Sequence, residues 1–228
     1  EPKPFALNAS GHSGSGAEIS SLHRDGLADM PFHKDPRSIP IPGCVDGWLT
    51  LHQRFGRLPL QDVLGDAIDL AIEGFPISAE CAQATKLLKE VDNTQDYFAS
   101  GPPQTGQLIR RTKLGETLQE LVHGGRESFY LGKFGEDLVS FGAGEYSPDD
   151  LLTRQADWVE PLSVEAFGQK IWSLPPNSQG YICLASAWIA DQLGLPTDPS
   201  DPLFWHLLAE AAIQAGFDRP EVLHQDAD

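Results

Sequence analysis

Apolar residues spaced three and four positions apart recur along most of this chain, and this helical period constrains its fold more than any other feature. The clearest case is residues 60–73, where apolar side chains share one face and acidic side chains lie largely on the other. Gly74 and Pro76 then interrupt the pattern. The sequence therefore predicts separate amphipathic helices divided by glycine and proline.

Side chains that can cap a helix indicate where several further helices begin. A hydroxyl or carboxylate oxygen in this position accepts a hydrogen bond from the free backbone amides of the first turn. Such residues precede apolar segments at four positions: Asp46, Ser78, Ser147 and Asp201. We expect the helix after Asp46 to end at Gly56, and the helix after Ser78 to run through Val91.

Periodicity alone predicts three more helices. One lies around residues 114–122 and ends at Gly124 and Gly125, a shorter one lies within residues 127–138, and an apolar one covers residues 182–193. The two candidate strands are residues 5–8 and 169–174. The chain is therefore predicted to be α+β and mostly helical, a single segment with a loop-rich part over residues 1–43 and mainly helical chain over residues 44–228.

A Gly/Ser-rich stretch over residues 9–16 (ASGHSGSG) follows the first candidate strand. Such a stretch forms either a flexible linker or a tight loop whose backbone amides bind a ligand. The sequence leaves both alternatives open. Residues 30–43 carry four prolines and are expected to be extended connecting chain.

The charge balance bears on the kind of partner. The chain has 228 residues with 33 acidic against 16 basic side chains, and a net charge of −17. Nucleic acids and anionic membranes need a basic face, so neither is an expected partner. No apolar stretch approaches the roughly 18 residues of a membrane-spanning helix, so we expect a soluble protein.

The sequence contains no local motif for a cofactor or a metal, such as a nucleotide-binding glycine loop or HExxH. Its three cysteines, Cys44, Cys81 and Cys183, lie far apart, and so do His23 and His33. Metal ligands normally cluster, so neither a metal nor a cofactor is expected. The thiols are expected to be buried and inert.

The chain begins at Glu1, and its only methionine is Met30. No basic segment followed by an apolar one marks a secretion signal. We therefore expect this N-terminus to arise by proteolysis or to be the start of a fragment.

Several longer motifs occur in a fixed order. Residues 41–52 (IPGCVDGWLTLH) lead through 55–60 (FGRLPL) to 67–71 (AIDLA) and 73–78 (EGFPIS), and residues 158–163 (WVEPLS) precede 174–180 (LPPNSQG). Residues 129–132 (FYLG) and 206–211 (HLLAEA) fit the same series. Over about residues 5–228 the chain resembles the large subunit of γ-glutamyltranspeptidases and their acylase relatives.

This resemblance implies an N-terminal-nucleophile hydrolase with αββα layers. In that family a precursor cuts itself before a threonine, which becomes the first residue of a small subunit and attacks a γ-glutamyl or related amide. One residue then supplies both the hydroxyl nucleophile and the α-amino base. The resemblance implies that this threonine lies on a separate small subunit, that this chain holds no catalytic residue, and that the substrate is a small γ-glutamyl or acyl amide.

The resemblance also directs attention to the loop over residues 7–14. In the family, this loop carries an arginine that pairs with the α-carboxylate of the glutamyl donor. An ungapped alignment with the family places Ser10 at the position of this arginine. In acylase-like relatives the arginine lies two residues later, which corresponds to His12. Neither side chain can form a bidentate pair with a carboxylate. Asn8, Ser10 and His12 are therefore the candidate substrate-binding residues, and the loop favours an acylase-like amide hydrolase.

Two alternatives remain open. The chain could be a family member that has lost catalysis and serves as a binding or structural protein, because it lacks both the arginine and the nucleophile. It could also be a free-standing acidic helical interaction domain, which would be fully soluble by itself and would melt cooperatively.

Overall fold

The computed structural model describes residues 2–31, 35–88, 91, 94–98 and 101–223. The helices in these ranges are α1 Ile19–Arg24, α2 Cys44–Phe55, α3 Leu60–Glu73, α4 Ala79–Ala84, α5 Gln95–Phe98, α6 Thr112–Tyr130, α7 Lys133–Gly142, α8 Pro148–Leu152, α9 Gly180–Leu193, α10 Pro202–Ala215 and α11 Arg219–Val222. The strands are β1 Ala6–Asn8, β2 Phe75–Pro76, β3 Leu108–Ile109, β4 Asp157–Val159, β5 Leu162–Ala166 and β6 Gln169–Ser173. The prediction of a mostly helical α+β chain is confirmed.

The chain folds as two compact units. The helical unit is Gly11–Gln155, and the terminal unit combines Glu1–Ser10 with Ala156–Asp228. None of the helices in the described ranges is both long enough and apolar enough to cross a membrane.

Helices α3 and α6 form the main packing contact of the helical unit. Together with their neighbours they enclose a core of buried side chains: Ile41, Val45, Ile68, Leu118, Leu121, Tyr130, Tyr146 and Leu151. The two helices approach closely at Gly115, where an added Cβ would lie 2.5 Å from the Cγ1 of Ile72. Glycine is therefore required here by packing, since any side chain would displace Ile72.

A smaller core lies under the antiparallel pair of β2 and β3, where Phe75 pairs with Ile109. Its buried members are Ile77, Ala82 and Ile109. Two short 3-10 helices, Pro36–Ser38 and Thr85–Leu88, also belong to the helical unit. The second directly follows α4, so the helix predicted after Ser78 changes from an α-helix to a 3-10 helix at Thr85. Residues 89 and 90 of that predicted helix lie outside the described residues.

Three of the four predicted caps are confirmed. Ser78 accepts from the backbone N–H of Cys81, and Asp201 from that of Leu203. Ser147 forms a capping box with Asp150, in which each side chain accepts from the backbone N–H of the other residue. Ser147 and Asp201 are each followed by proline at the first helical position, where no backbone hydrogen bond is lost.

The cap predicted at Asp46 is wrong. Helix α2 begins earlier, after Gly43, so Asp46 lies inside the first turn and its side chain is buried. The Asp46 carboxylate does not accept from the free amides at the start of the helix. It accepts from a residue far along the sequence.

Helix α6 is divided at Gly125, where φ 59° and ψ −144° are not helical, so two helical stretches meet there at a kink. Glycine adopts such a positive φ without steric cost. The prediction that the first stretch ends at Gly124 and Gly125 is therefore confirmed, and the second stretch runs to Tyr130. The carbonyls of Glu120 and Gly125 at this kink accept hydrogen bonds from the Ser128 hydroxyl, both at 2.8 Å. The helix predicted within residues 127–138 is therefore divided between the end of α6 and the start of α7.

The terminal unit is built from two antiparallel pairs and the packed helices α9 and α10. Strand β1 pairs with β4, with Asn8 opposite Asp157. Strands β5 and β6 form a hairpin whose two turn residues, Phe167 and Gly168, both have positive φ, as the right-handed strand twist favours. The strand predicted at residues 169–174 is thus confirmed as β6, whereas β5 had not been predicted.

Two glycine-to-alanine substitutions test the packing of α3 against α6. Gly115→Ala should lower the free energy of unfolding by about 1–3 kcal/mol, because the new methyl group overpacks the interface. Gly65→Ala in α3 meets no atom within 4 Å and should stabilise the protein by up to about 1 kcal/mol through helix propensity. Urea denaturation of both variants measures these changes, and equal effects would contradict the close approach of the helices.

Candidate functional site

Asn8, Ser10 and Asn177 form a neutral polar cluster in the terminal unit. The Ser10 hydroxyl donates to the Oδ1 of Asn8 at 2.7 Å and accepts from the Nδ2 of Asn177 at 2.9 Å. The Nδ2 of Asn8 donates to the Oδ1 of Asn177 at 3.2 Å. The structure therefore brings together two of the three candidate residues, and joins them to a residue that the sequence analysis had not selected.

The local fold explains how this cluster forms. Pairing of β1 with β4 holds Asn8 at the end of its strand, and the backbone N–H of Ser10 donates to the Asn8 side chain at 3.2 Å. Asn177 lies in the loop between β6 and α9, within the PPNSQG motif. From the sequence, this motif contributes only to the family resemblance, so the contacts of Asn177 with Asn8 and Ser10 were not predicted.

His12, the third candidate, lies in the helical unit and is anchored through its backbone. Its N–H donates to the Oε1 of Gln155 at 3.0 Å, and its carbonyl accepts from the N–H of Ile41 at 2.8 Å. The preceding Gly11 has φ +85°, and a Cβ there would lie 1.8 Å from the carbonyl oxygen of Ile41. The loop can approach Ile41 this closely only because residue 11 is glycine.

The rest of the Gly/Ser stretch packs against its own chain. The N–H of Gly16 donates to the carbonyl of Glu145 at 3.1 Å, and that of Ser15 donates to Asp150 at 3.0 Å. Burial favours the neutral carboxyl group of Asp150, but hydrogen bonds from Ser15 and Ser147 outweigh it and hold the pKa of Asp150 below its usual value. The hydrogen bonds at Ser15 and Gly16 therefore fix the end of the stretch against residues 145–150, which argues against a flexible linker.

A buried ion pair supports this side of the helical unit. The Nε of Arg126 donates to both carboxylate oxygens of Asp46, at 3.1 and 3.2 Å, and the Asp46 side chain is 3% exposed. The backbone N–H of Gln155 donates to the same carboxylate at 2.6 Å. The Nη2 of Arg126 donates to the carbonyl of Thr153 at 2.5 Å. Asp46 therefore joins the start of α2 to α6 and to the segment after α8.

Tyr130 completes this network. Its ring lies 4.5 Å from the guanidinium carbon of Arg126, and its hydroxyl donates to the carbonyl of Pro42 at 2.5 Å. The same hydroxyl oxygen accepts from the N–H of Asp46 at 3.2 Å. Burial raises the pKa of Tyr130 to about 12, so the hydroxyl stays protonated and keeps its donor role at neutral pH.

Other sequence expectations concern metal ligands and thiols. The described part of the chain contains no group of three or more potential metal ligands among its His, Cys, Asp and Glu side chains. His33 lies outside the described residues. All three cysteines are exposed, so the prediction of buried thiols is wrong. They had been expected inside because small apolar side chains usually are, but Cys44 lies on the outer face of its helix.

Comparison with known proteins identifies the family. The family model described as Gamma-glutamyltranspeptidase matches residues 1–228. The chain belongs to the gamma-glutamyltranspeptidase family. Its relatives include a glutathione hydrolase-like YwrD proenzyme of Bacillus subtilis, 31% identical over 95% of the chain and 44% of the relative. An oxamate amidohydrolase proenzyme of Klebsiella pneumoniae is also 31% identical, over 94% of the chain and 43% of the relative.

Solved structures of a gamma-glutamyltranspeptidase and of a cephalosporin acylase share this fold. The enzyme from Pseudomonas nitroreducens, complexed with L-DON, superimposes with a TM-score of 0.84 at 26% identity, over 98% of this chain and 70% of that one. A cephalosporin acylase from Bacillus halodurans gives a TM-score of 0.86 at 26% identity, over 96% of this chain and 44% of that one. The chain thus spans less than half the length of the curated relatives and of the acylase.

The Asp46–Arg126 pair offers a test of the scaffold of this gamma-glutamyltranspeptidase-family chain. Asp46→Ala should lower the free energy of unfolding by about 3 kcal/mol, because it leaves a largely buried guanidinium without its counter-charge. Thermal and urea denaturation measure the loss. Asp137→Ala, which removes the exposed pair with Lys133 on α7, is the matched control and should leave the melting midpoint unchanged. Equal losses in the two variants would show that the Asp46 pair is not a structural anchor.

Proposed function

We propose that residues 1–228 are a single segment of the large, non-nucleophile subunit of an amide hydrolase or acyltransferase that is processed from a precursor. Family membership over the whole chain carries this proposal. The two relatives described above are both named proenzymes, and the chain covers 44% and 43% of them. A nucleophile contributed by a separate chain is consistent with that partial coverage.

The proposed chemistry divides amide cleavage into two steps. The hydroxyl of a threonine at the start of the partner subunit attacks the amide carbonyl, and its own α-amino group takes the hydroxyl proton. The C–N bond then breaks as that proton passes to the leaving amine, which gives an acyl ester. Water or another amine then attacks the ester and restores the threonine. In this proposal the large-subunit chain binds and orients the acyl group.

Asn8, Ser10 and His12 are the proposed acyl-binding residues. The neutral hydrogen-bond cluster of Asn8, Ser10 and Asn177 supports a polar acyl group that is held by neutral donors and acceptors. Ser10 and His12 occupy the two positions at which the family resemblance places a carboxylate-binding arginine. Relatives with different substrates in their names, an oxamate amidohydrolase and a cephalosporin acylase, support an acyl range beyond the γ-glutamyl group.

A second candidate is a family member without catalytic activity that serves as a binding or structural protein. The neutral side chain of Ser10 at the expected arginine position favours it. This alternative requires that no threonine stand at the processing point of the complete protein, and the downstream coding sequence decides that point directly.

Processing of the complete precursor tests the main proposal. Expression of this segment together with the downstream coding sequence should give two chains, the second of which begins with threonine. N-terminal sequencing and intact mass measurement detect this cleavage. Replacement of that threonine by alanine is the control and should leave the precursor uncut. A wild-type precursor that stays intact and inactive would contradict the proposal.

Arginine substitutions test the acyl-binding loop. Ser10→Arg or His12→Arg should raise kcat/KM for γ-glutamyl p-nitroanilide about tenfold or more, because a charge-assisted bond to the α-carboxylate adds about 1.5–3 kcal/mol. Steady-state kinetics of the assembled enzyme measure the gain. Gln119→Arg adds the same charge at an exposed position on α6 and should have no effect. If both loop variants behave like Gln119→Arg, the loop does not contact the acyl group.

A further inference from the structure

We infer that Gln155 is a positioning residue that fixes His12 for acyl recognition, with Asp46 and Arg126 holding Gln155 in place. This inference rests on the proposed role of His12 at the acyl-binding site. On this inference Gln155, which lies outside the loop, is a residue that determines specificity through its hydrogen bond with His12.

The Gln155 side chain has one available orientation. It is 1% exposed, and its Nε2 donates to the carbonyls of Asp150 at 3.1 Å and Thr153 at 3.0 Å. A side-chain amide has two N–H donors, and both are used here. Since a flipped amide would put an oxygen against two carbonyls, Oε1 must point toward the backbone N–H of His12, at 3.0 Å.

The backbone of Gln155 is fixed as firmly as its side chain. Its N–H donates to the carboxylate of Asp46, and that carboxylate is held by Arg126. Arg126 in turn donates to the carbonyl of Thr153, which also accepts from the Gln155 side chain. The four residues form a closed network, so Gln155 cannot shift without breaking a buried charged hydrogen bond.

His12 is held from two sides as a result. Gln155 fixes its N–H, and the N–H of Ile41 fixes its carbonyl. The peptide groups on both sides of the His12 Cα therefore have set orientations, and they fix the direction of the bond to Cβ. Loss of the Gln155 acceptor frees the N–H side of this residue and lets the imidazole move away from the acyl group. A binding group that loses its orientation weakens substrate binding, which raises KM, more than it slows bond cleavage, which would lower kcat.

Gln155→Met in the assembled enzyme tests this inference, since methionine keeps the length of the side chain and removes the acceptor. We expect KM for γ-glutamyl p-nitroanilide to rise about tenfold while kcat changes less than twofold. Thr85→Val removes another buried hydrogen bond of the helical unit, from the Thr85 hydroxyl to the carbonyl of Ala82, and is the matched control. It should leave KM unchanged, and an equal rise of KM in both variants would overturn the inference.

A double-substitution cycle separates this inference from the proposed function. Gln155→Met should raise KM less than twofold when His12 is already alanine, because no imidazole remains to be positioned. If His12→Ala alone leaves KM unchanged, the proposed role of His12 fails, and the inference fails with it. If His12→Ala raises KM but Gln155→Met does not, His12 binds the acyl group without help from Gln155.

Amide hydrogen exchange gives a readout that needs no stable variant. In the wild-type assembled enzyme, the backbone amide of His12 should exchange at least tenfold more slowly than an unprotected amide of the same local sequence. Where Gln155→Met folds, this protection should be lost while the amide of Ile41 keeps its own. An unprotected His12 amide in the wild-type enzyme would overturn the inference.

Discussion

The ion pair between Asp46 and Arg126 is the interaction on which the helical unit most depends. A carboxylate with 3% exposure is tolerable only where its charge is matched and its oxygens are bonded, and here Arg126 and the backbone of Gln155 meet both conditions. The pair links α2, α6 and the segment after α8, which are far apart in sequence. The conformation of the loop around His12 follows from this link, because Gln155 is its last member.

Most of the correct predictions of helices and their caps depend on local sequence signals. Helix α3 has the bounds that its period indicates, and the caps at Ser78, Ser147 and Asp201 depend only on residues within the next few positions. Asp46 was assigned wrongly because its partners lie 80 and 109 positions away, where no local pattern reveals them. Gly125 was expected to end a helix, and its non-helical φ and ψ do divide α6 there, although the chain becomes helical again directly afterwards.

In the candidate site, too, local sequence signals do not reveal contacts between residues that are far apart in the sequence. Family resemblance pointed to the loop that contains Asn8, Ser10 and His12, but sequence gave no indication of how each residue is held. Asn8 and Ser10 are bonded to Asn177, which is 167 positions from Ser10. His12 depends on Gln155, 143 positions away. Each unit therefore holds its own candidate residues, the terminal unit through neutral side chains and the helical unit through a residue anchored by a buried charge.

The pairing of β1 with β4 has a consequence for biosynthesis. Asn8 pairs with Asp157, so the first strand has no partner until the ribosome has synthesised the whole helical unit. At translation rates of about 5–20 residues per second, that wait lasts on the order of ten seconds. The helical unit can collapse during this time, whereas the strand that carries Asn8 stays unpaired in the nascent chain. The strand that carries Asn8 therefore gains its partner late in synthesis.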